Sequence, residues 1–202
     1  MLISWLGEAG LRIQTKAASA VVDPPAAETG SKPGQLAADV VALSQAEHRD
    51  RSLVTGQPLV INTPGEYELL GLFFYGLALP SESGRVHWRI EAEGLSLGHV
   101  ADLNHQLDNG ELSQLEGVDI LFVPVGGKRV LNAEQAAALI SQIEPRVVVP
   151  IQYHFAGSRF SYAAVDPFLK EFGAKNISPI PKLKITTKDL PAEETQVVVL
   201  QP

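Results

Sequence analysis

The segment from Ser44 to Ser52 contains several side chains that could take part in metal or acid–base chemistry. It reads Ser-Gln-Ala-Glu-His-Arg-Asp-Arg-Ser and includes Glu47, His48 and Asp50. Because the chain has no cysteine, any metal ion must be held by His, Asp or Glu. Oxygen ligands favour Mg²⁺, Mn²⁺ or Ca²⁺, whereas zinc favours imidazole or anionic ligands. The permanently charged guanidinium of Arg49 opposes a cation here.

The composition is that of an ordinary globular protein and excludes several classes of function. The 202 residues are 45% hydrophobic and carry a formal net charge of -7. An acidic chain without a basic patch predicts no nucleic-acid partner and no membrane partner. No apolar run reaches the roughly 20 residues of a membrane-spanning helix, and the first residues lack a signal-peptide pattern. We therefore expect a cytoplasmic protein.

The pattern of apolar residues predicts one strand-rich α/β domain that covers residues 1–202. Short runs rich in Val, Ile and Leu recur between Gly, Pro and Asn, as strands do. Asn132 and Gln135 form a capping-box pattern before a helix that Pro145 ends. Two further helices are predicted, over residues 108–115 and 166–173. Many strands with interspersed helices indicate sheets covered by helices.

Several motifs occur in an order that resembles one known family. The motifs are Trp5-Leu6-Gly7-Glu8-Ala9-Gly10, Val22-Asp23-Pro24, Ala38-Asp39-Val40-Val41, Asn62-Thr63-Pro64-Gly65-Glu66-Tyr67-Glu68, Ile90-Glu91-Ala92-Glu93-Gly94 and Val123-Pro124-Val125-Gly126-Gly127. Together they resemble the metallo-β-lactamase superfamily, and within it the small Zn-dependent hydrolases related to the ascorbate-lactonase branch. The resemblance covers roughly residues 1–155. It implies a four-layer αββα sandwich with a dinuclear metal site on loops at one edge of its two sheets.

The family's metal-binding loop reads Ser/Thr-His-x-His-x-Asp-His and follows the strand that residues 38–43 resemble. The ungapped match leaves no histidine at the four ligand positions, which are occupied by Gln45, Glu47, Arg49 and Asp50. A one-residue slip instead aligns His48 and Asp50 with two of the ligands, but it puts Ala46 and Arg51 on the others. The ungapped register is favoured because Ala38-Asp39-Val40-Val41 fixes it. In both registers the resemblance implies a degraded metal loop.

The downstream ligand positions are only partly retained. The segment from His99 to His105 matches the family's Gly-Asp pattern, which makes Asp102 the counterpart of the metal-bridging carboxylate. Gln152 replaces the last ligand histidine of a Pro-x-His-Tyr motif, and His154 follows two residues later. His105 and His154 are weaker candidates for lining the site.

These departures predict that two zinc ions are not bound. A glutamine amide is a weak zinc donor, and a dinuclear site needs several imidazole or anionic ligands. Arg49 stands where the family's aspartate holds the second metal, and a unit charge repels each unit of metal charge by roughly 4 kcal/mol at 4 Å for an effective dielectric near 20. Arg49 could instead pair with Asp102, Glu47 or Asp50 and replace the missing metal charge.

We therefore predict a metallo-β-lactamase-fold protein that has lost most metal ligands and acts as a non-catalytic pseudo-hydrolase or binding protein for a small molecule, without a cofactor. The alternative is a metal-dependent hydrolase of an ester, lactone or phosphoester, with one divalent cation at Glu47, Asp50 and Asp102. The pseudo-hydrolase interpretation assigns no catalytic residue, whereas in the alternative Asp102 holds the metal and a nearby histidine assists proton transfer. The predicted pocket of the former metal site consists of Gln45, Glu47, His48, Arg49, Asp50, Asp102, His105, Gln152 and His154.

Overall fold

The computed structural model describes residues 1–45, 51–80 and 84–202. Its strands are β1 (Leu2–Gly7), β2 (Gly10–Gln14), β3 (Ser19–Val22), β4 (Leu36–Ala37), β5 (Val40–Ala42), β6 (Val54–Thr55), β7 (Leu59–Ile61), β8 (Gly65–Leu69), β9 (Leu72–Leu77), β10 (His87–Ala92), β11 (Leu95–His99), β12 (Ile120–Pro124), β13 (Val147–Ile151), β14 (Leu183–Lys184) and β15 (Gln196–Val197). The α-helices are α1 (Asn109–Ser113), α2 (Ala133–Ile143) and α3 (Asp166–Glu171). Short 3-10 helices cover Ala27–Thr29 and Thr187–Asp189.

Two mixed β-sheets contain most of these strands. One sheet has six strands in the order β14-β1-β2-β3-β5-β7, and the other has seven in the order β15-β13-β12-β11-β10-β9-β8. Strands β4 and β6 form a separate two-stranded ladder. Antiparallel hairpins begin each sheet, and parallel ladders follow them: β3, β5 and β7 in the first sheet, and β11, β12, β13 and β15 in the second.

One apolar core joins the two sheets. Ile3, Leu11 and Ile13 of the first sheet belong to the same buried cluster as Phe74 and Trp88 of the second. Every residue of β11, β12 and β13 is buried, as expected for parallel strands that are covered on both faces. The helix α2 contacts β12 and α3 and buries an apolar stripe of Ala136, Leu139 and Ile140.

Two of the three helices begin with a reciprocal cap that the sequence pattern specifies. In α2, the Asn132 side chain accepts from the Gln135 backbone N–H at 2.9 Å, and the Gln135 side chain accepts from the Asn132 N–H at 3.0 Å. Asp108 and Glu111 form the same arrangement at the start of α1. Each cap satisfies two donors that the first helical turn leaves unpaired. No helix in the described ranges is long and apolar enough to cross a membrane.

Candidate functional site

The residues that follow the parallel strands meet at one edge of the molecule. Asp102 comes shortly after β11, Gln152 follows β13 directly, and Gln45 lies just beyond β5. The carboxyl ends of neighbouring parallel strands lie side by side, which is where open α/β sheets place ligand sites. The β-sheet topology therefore brings together side chains that are far apart in the sequence.

Gln152 and Asp102 are joined by two hydrogen bonds. The Asp102 backbone N–H donates to Gln152 Oε1 at 2.7 Å, and Gln152 Nε2 donates to Asp102 Oδ1 at 2.5 Å. Gln152 is 1% exposed, so its amide is withdrawn from competing water. The second bond is charge-assisted because the acceptor is a carboxylate. The amide of Gln152 therefore fixes the orientation of Asp102.

A guanidinium group lies on the other side of Asp102. Arg85, which precedes β10, donates from Nη1 to the Asp102 carbonyl oxygen at 2.7 Å. The Gln45 side chain, with its amide oriented so that donors meet acceptors, accepts from Arg85 Nη2 at 3.2 Å and also from Nε. Arg85 thus connects the end of the first sheet, at Gln45, with the end of the second, at Asp102.

Glu8 enters the same site from the turn between β1 and β2. Its carbonyl oxygen accepts from Trp5 Nε1 at 2.8 Å and from the Gln152 backbone N–H at 3.2 Å. The Tyr162 hydroxyl donates to Glu8 Oε2 at 3.4 Å. Burial raises the pKa of Tyr162 well above its usual value, and the carboxylates of Glu8 and Asp102 raise it further. Tyr162 is therefore a hydrogen-bond donor at neutral pH.

These groups surround a cleft of about 330 Å³. Phe160 and Tyr162 form one side as a stacked pair with ring centroids 5.7 Å apart. The cleft offers carboxylates, guanidinium groups and an aromatic surface, which is the mixture expected of a site for a small polar ligand. Its described lining consists of Glu8, Ala26, Glu28, Thr29, Gln45, Arg85, Asp102, Arg129, Phe160 and Tyr162.

Four non-glycine residues around the cleft have left-handed backbone conformations. The φ values are 53° for Glu8, 44° for Asp23, 61° for Asp102 and 50° for Gln152. Such conformations are uncommon for residues with a side chain, and they concentrate at functional sites. Five further described residues with positive φ, Leu70, Glu93, Lys128, Glu144 and Asn176, do not line the cleft, so the conformation is shared by the cleft and by turns elsewhere.

Buried polar residues contact the sequence neighbours of residues that line the cleft. His99 is fully buried, with Nε2 2.8 Å from the Ala9 carbonyl oxygen and Nδ1 3.8 Å from Asp23 Oδ2. Asp23 accepts from the Ser44 backbone N–H at 2.7 Å.

His87 is also fully buried, and neither of its ring nitrogens has a hydrogen-bond partner among the described residues. Burial, followed by the nearby His99 and Arg85, lowers the pKa of His87 to about 3, so His87 is neutral.

The structure brings some of the predicted pocket residues together and leaves others apart. Gln45 and Asp102 line the cleft, and Gln152 lies behind Asp102. His105 Nδ1 is 3.2 Å from Asn104 Oδ1, and His154 is exposed; neither is among the described residues that line the cleft. The predictions for Glu47, His48, Arg49 and Asp50 lie outside the described residues.

Eight lining residues were not among the predicted site residues: Glu8, Ala26, Glu28, Thr29, Arg85, Arg129, Phe160 and Tyr162. Glu8 had a recognisable signal, because it is a charged residue at the tight turn between two apolar strands and belongs to the motif at residues 5–10. Arg129 follows Gly126-Gly127 at the carboxyl end of β12, a position typical of ligand-contacting loops. Arg85 and Tyr162 had no local signal, since only the tertiary fold brings them to Asp102.

The described residues alone do not fit a two-zinc centre. Zinc sites in proteins use three or four nitrogen, sulfur or carboxylate ligands around each ion. Within residues 1–45, 51–80 and 84–202, no three His, Asp or Glu side chains are close enough together to hold a metal ion. One oxygen of Asp102 is already bound by Gln152, and His87 is a buried imidazole whose two nitrogens have no hydrogen-bond partner in these ranges.

Sequence comparison identifies a family that matches most of the chain. A family model described as a beta-lactamase superfamily domain matches residues 2–152. A UPF0173 protein from Pyrococcus furiosus is 34% identical over 79 residues, which are 39% of this chain and 36% of that protein. A UPF0173 metal-dependent hydrolase from Thermococcus onnurineus is 27% identical over 114 residues, which are 56% of this chain and 42% of that protein. The matched segments therefore span less than half of these relatives.

Solved structures extend the similarity to the whole chain. A crystal structure from Thermotoga maritima, provisionally described as a Zn-dependent hydrolase of the metallo-β-lactamase superfamily, has a TM-score of 0.83 at 28% identity and covers 100% of both chains. Igni18, described as a metallo hydrolase from Ignicoccus hospitalis, has a TM-score of 0.67 at 17% identity, with 92% of this chain and 99% of that chain covered. The predicted fold class is confirmed. The names of the Thermococcus onnurineus relative and of the Thermotoga maritima protein favour the hydrolase alternative over the pseudo-hydrolase.

Proposed function

The chain belongs to the metallo-β-lactamase superfamily, and we propose that its cleft binds and hydrolyses a small ester, lactone or phosphoester. The observation that carries this proposal is the fixed carboxylate of Asp102, which Gln152 orients at the ligand-binding edge of the sheet next to the guanidinium of Arg85. Similarity to proteins named metal-dependent hydrolases supports the reaction class.

The residues that line the cleft can take different roles in hydrolysis. Glu8 and Asp102 are carboxylates that can accept a proton from an attacking water molecule. Arg85 can stabilise negative charge that develops on the substrate oxygen, because its guanidinium lines the cleft beside Asp102. The carboxyl group that took the proton can return it to the leaving group, while the Tyr162 hydroxyl stays protonated and can donate a hydrogen bond within the cleft.

A single divalent cation is compatible with the proposal only if residues beyond the described part contribute. The sequence provides Glu47 and Asp50 as partners for Asp102, and both lie outside the described residues. A bound cation would supply Lewis-acid chemistry and lower the pKa of a bound water molecule. The roles of Glu8, Arg85 and Tyr162 stated above do not depend on it.

The test combines metal analysis with a substrate panel. The protein is purified without chelator, its metal content is measured, and turnover of nitrophenyl esters, lactones and nitrophenyl phosphodiesters is assayed with added Mg²⁺, Mn²⁺ or Zn²⁺. We expect turnover of at least one substrate class and a loss of roughly 10²-fold or more in Asp102→Asn, as for removal of a general base.

The matched control is Asp108→Asn. This change removes the same charge from an exposed residue away from the cleft, and asparagine preserves the cap of α1. Turnover should stay within about twofold of the wild type. Equal turnover in the wild type and Asp102→Asn would contradict a hydrolytic role for this cleft.

A binding protein without catalytic activity is the second candidate, and the Gln152–Asp102 pair is the observation that favours it. The amide of Gln152 already engages the backbone N–H and one carboxylate oxygen of Asp102 by hydrogen bonds within the protein. A small molecule could then occupy the cleft without reacting. Ligand binding with no turnover in any metal condition, and no stoichiometric metal after purification, would favour this second function.

A further inference from the structure

We propose that Arg129 and Tyr162 form a subsite for one anionic group, a carboxylate or a phosphate, at one end of the substrate. This inference deepens the proposed function and rests on it, since it names the substrate class as an ester or lactone that carries a single anionic end. The Arg129 side chain is available to bind a ligand. It lines the cleft and makes no hydrogen bond or ion pair with any described residue.

The backbone around Arg129 is fixed, although its side chain has no hydrogen-bond or ion-pair partner within residues 1–45, 51–80 and 84–202. The Gly127 N–H donates to the Leu131 carbonyl oxygen at 2.9 Å, and the Arg129 N–H donates to the Gly127 carbonyl oxygen at 2.8 Å. Leu131, which is fully buried, donates to the Leu103 carbonyl oxygen at 2.9 Å. This loop holds the base of Arg129 beside the cleft, so that binding needs to order only the side chain.

The other cation of the cleft is already engaged. Arg85 donates to the Asp102 carbonyl oxygen and to the Gln45 side chain, and these bonds connect the two sheet ends. Arg129 has no such structural task within the described residues. A guanidinium group presents parallel N–H donors that match the two oxygens of a carboxylate or phosphate. Arg129 is therefore the cation of the cleft that is suited to a ligand.

The arrangement of charge limits the ligand to one anionic end. Glu8, Glu28 and Asp102 line the same cleft and repel a molecule that is negative throughout. Tyr162 and Arg129 line the same cleft, and the single O–H of Tyr162, which donates to Glu8 Oε2 at the long distance of 3.4 Å, can turn to donate to an anionic oxygen instead. Phe160, stacked on Tyr162, provides an apolar surface for the neutral part of the molecule.

The test titrates the full-length protein with inorganic phosphate and, separately, with acetate at constant ionic strength. Amide and arginine side-chain NMR signals report where each anion binds, and their shifts give the affinity. We expect saturable shifts at Arg129 and Tyr162 for at least one anion. A preference for phosphate would assign a phosphate end to the substrate, and a preference for acetate would assign a carboxylate end.

Two variants separate a specific subsite from general attraction of anions. Arg129→Gln should weaken binding at least tenfold, whereas Lys128→Gln, the same charge change at the adjacent exposed residue that does not line the cleft, should change it less than twofold. Equal weakening in both variants, or no saturable shift with either anion, would overturn the subsite. The two proposals can fail separately. Anion binding at Arg129 without turnover would contradict the hydrolase but not the subsite, and turnover that is insensitive to Arg129→Gln would contradict the subsite but not the hydrolase.

Discussion

Replacing Gln152 by glutamate tests whether its amide holds Asp102 in place. Gln152→Glu keeps the size of the side chain and the oxygen that accepts from the Asp102 N–H, but it replaces the Nε2 donor with a second carboxylate oxygen. Two unit charges 4 Å apart repel each other by about 4 kcal/mol at an effective dielectric of 20. The structure leaves little room for the two groups to separate, because residue 152 is 1% exposed.

The free energy of protonating the new glutamate in this variant gives an independent value for the cost of placing two carboxylates side by side. A glutamate with a pKa near 4.3 can be protonated at pH 7 for about 4 kcal/mol and at pH 5 for about 1 kcal/mol. A protonated carboxyl group restores the donor that Asp102 needs. We therefore expect Gln152→Glu to be less stable than the wild type by about 4 kcal/mol at pH 7 and by about 1 kcal/mol at pH 5.

Urea denaturation with chelator present measures this difference, with the wild type studied at each pH. Gln152→Leu is the control, because it removes both hydrogen bonds without adding a charge. Its destabilisation, about 2–4 kcal/mol for two lost hydrogen bonds of which one is charge-assisted, should be the same at both pH values. If Gln152→Glu matched the wild type at pH 7, or if its deficit did not shrink on acidification, the amide–carboxylate pair would not have the role assigned to it.

Two further predictions concern groups close to the cleft. The fold lowers the pKa of His87 from 6.5 to about 3, so on acidification the unfolded chain binds the proton before the native protein does. The free energy of unfolding should therefore fall by about 1.4 kcal/mol per pH unit as the pH drops from 6.5 towards 3. His87→Phe should flatten this part of the pH dependence in urea denaturation, and an unchanged slope would rule out His87 as its source. Gly126→Ala would place a Cβ atom 2.2 Å from the Gln152 carbonyl oxygen and 2.7 Å from Tyr162 Cβ, so we expect a loss of about 1–3 kcal/mol in thermal denaturation. Gly110→Ala, in a helix where alanine is favoured, is its control: the added Cβ atom would lie 3.3 Å from the side-chain oxygen Asp108 Oδ1, and we expect stability to change by less than about 1 kcal/mol.

The secondary structure could be read from local patterns because local interactions decide it. The capping box of Asn132 and Gln135 forms as its spacing predicts, and helices occur at all three predicted places. The two-residue strands β4 and β6 were not predicted, since so short a ladder has no periodicity to detect. The fold class required more than periodicity and came from the ordered motifs of a known family.

The candidate site was only partly predictable because its contacts span the whole chain. Asp102 and Gln152 were found through family motifs, but nothing in the sequence shows that the amide of one binds the carboxylate of the other across fifty positions. The pairing of Arg85 with Gln45 and Asp102 depends on how β10 sits beside β11. The predictions for residues 47–50 stay predictions.

Residues around the cleft are held in left-handed backbone conformations by hydrogen bonds and packing. A residue held in a sparsely populated conformation costs of order 1–3 kcal/mol, and Glu8, Asp23, Asp102 and Gln152 each have positive φ. Hydrogen bonds from the surrounding strands and side chains, such as those to the Glu8 carbonyl oxygen and the Asp102 N–H, oppose relaxation. Because the packed sheets impose these conformations, the shape of the cleft can persist when the groups that line it change. Similarity of fold therefore does not determine which groups do chemistry in this chain. Isosteric substitutions at Asp102 and Gln152 leave the backbone in place, so they can show whether these two side chains take part in the chemistry.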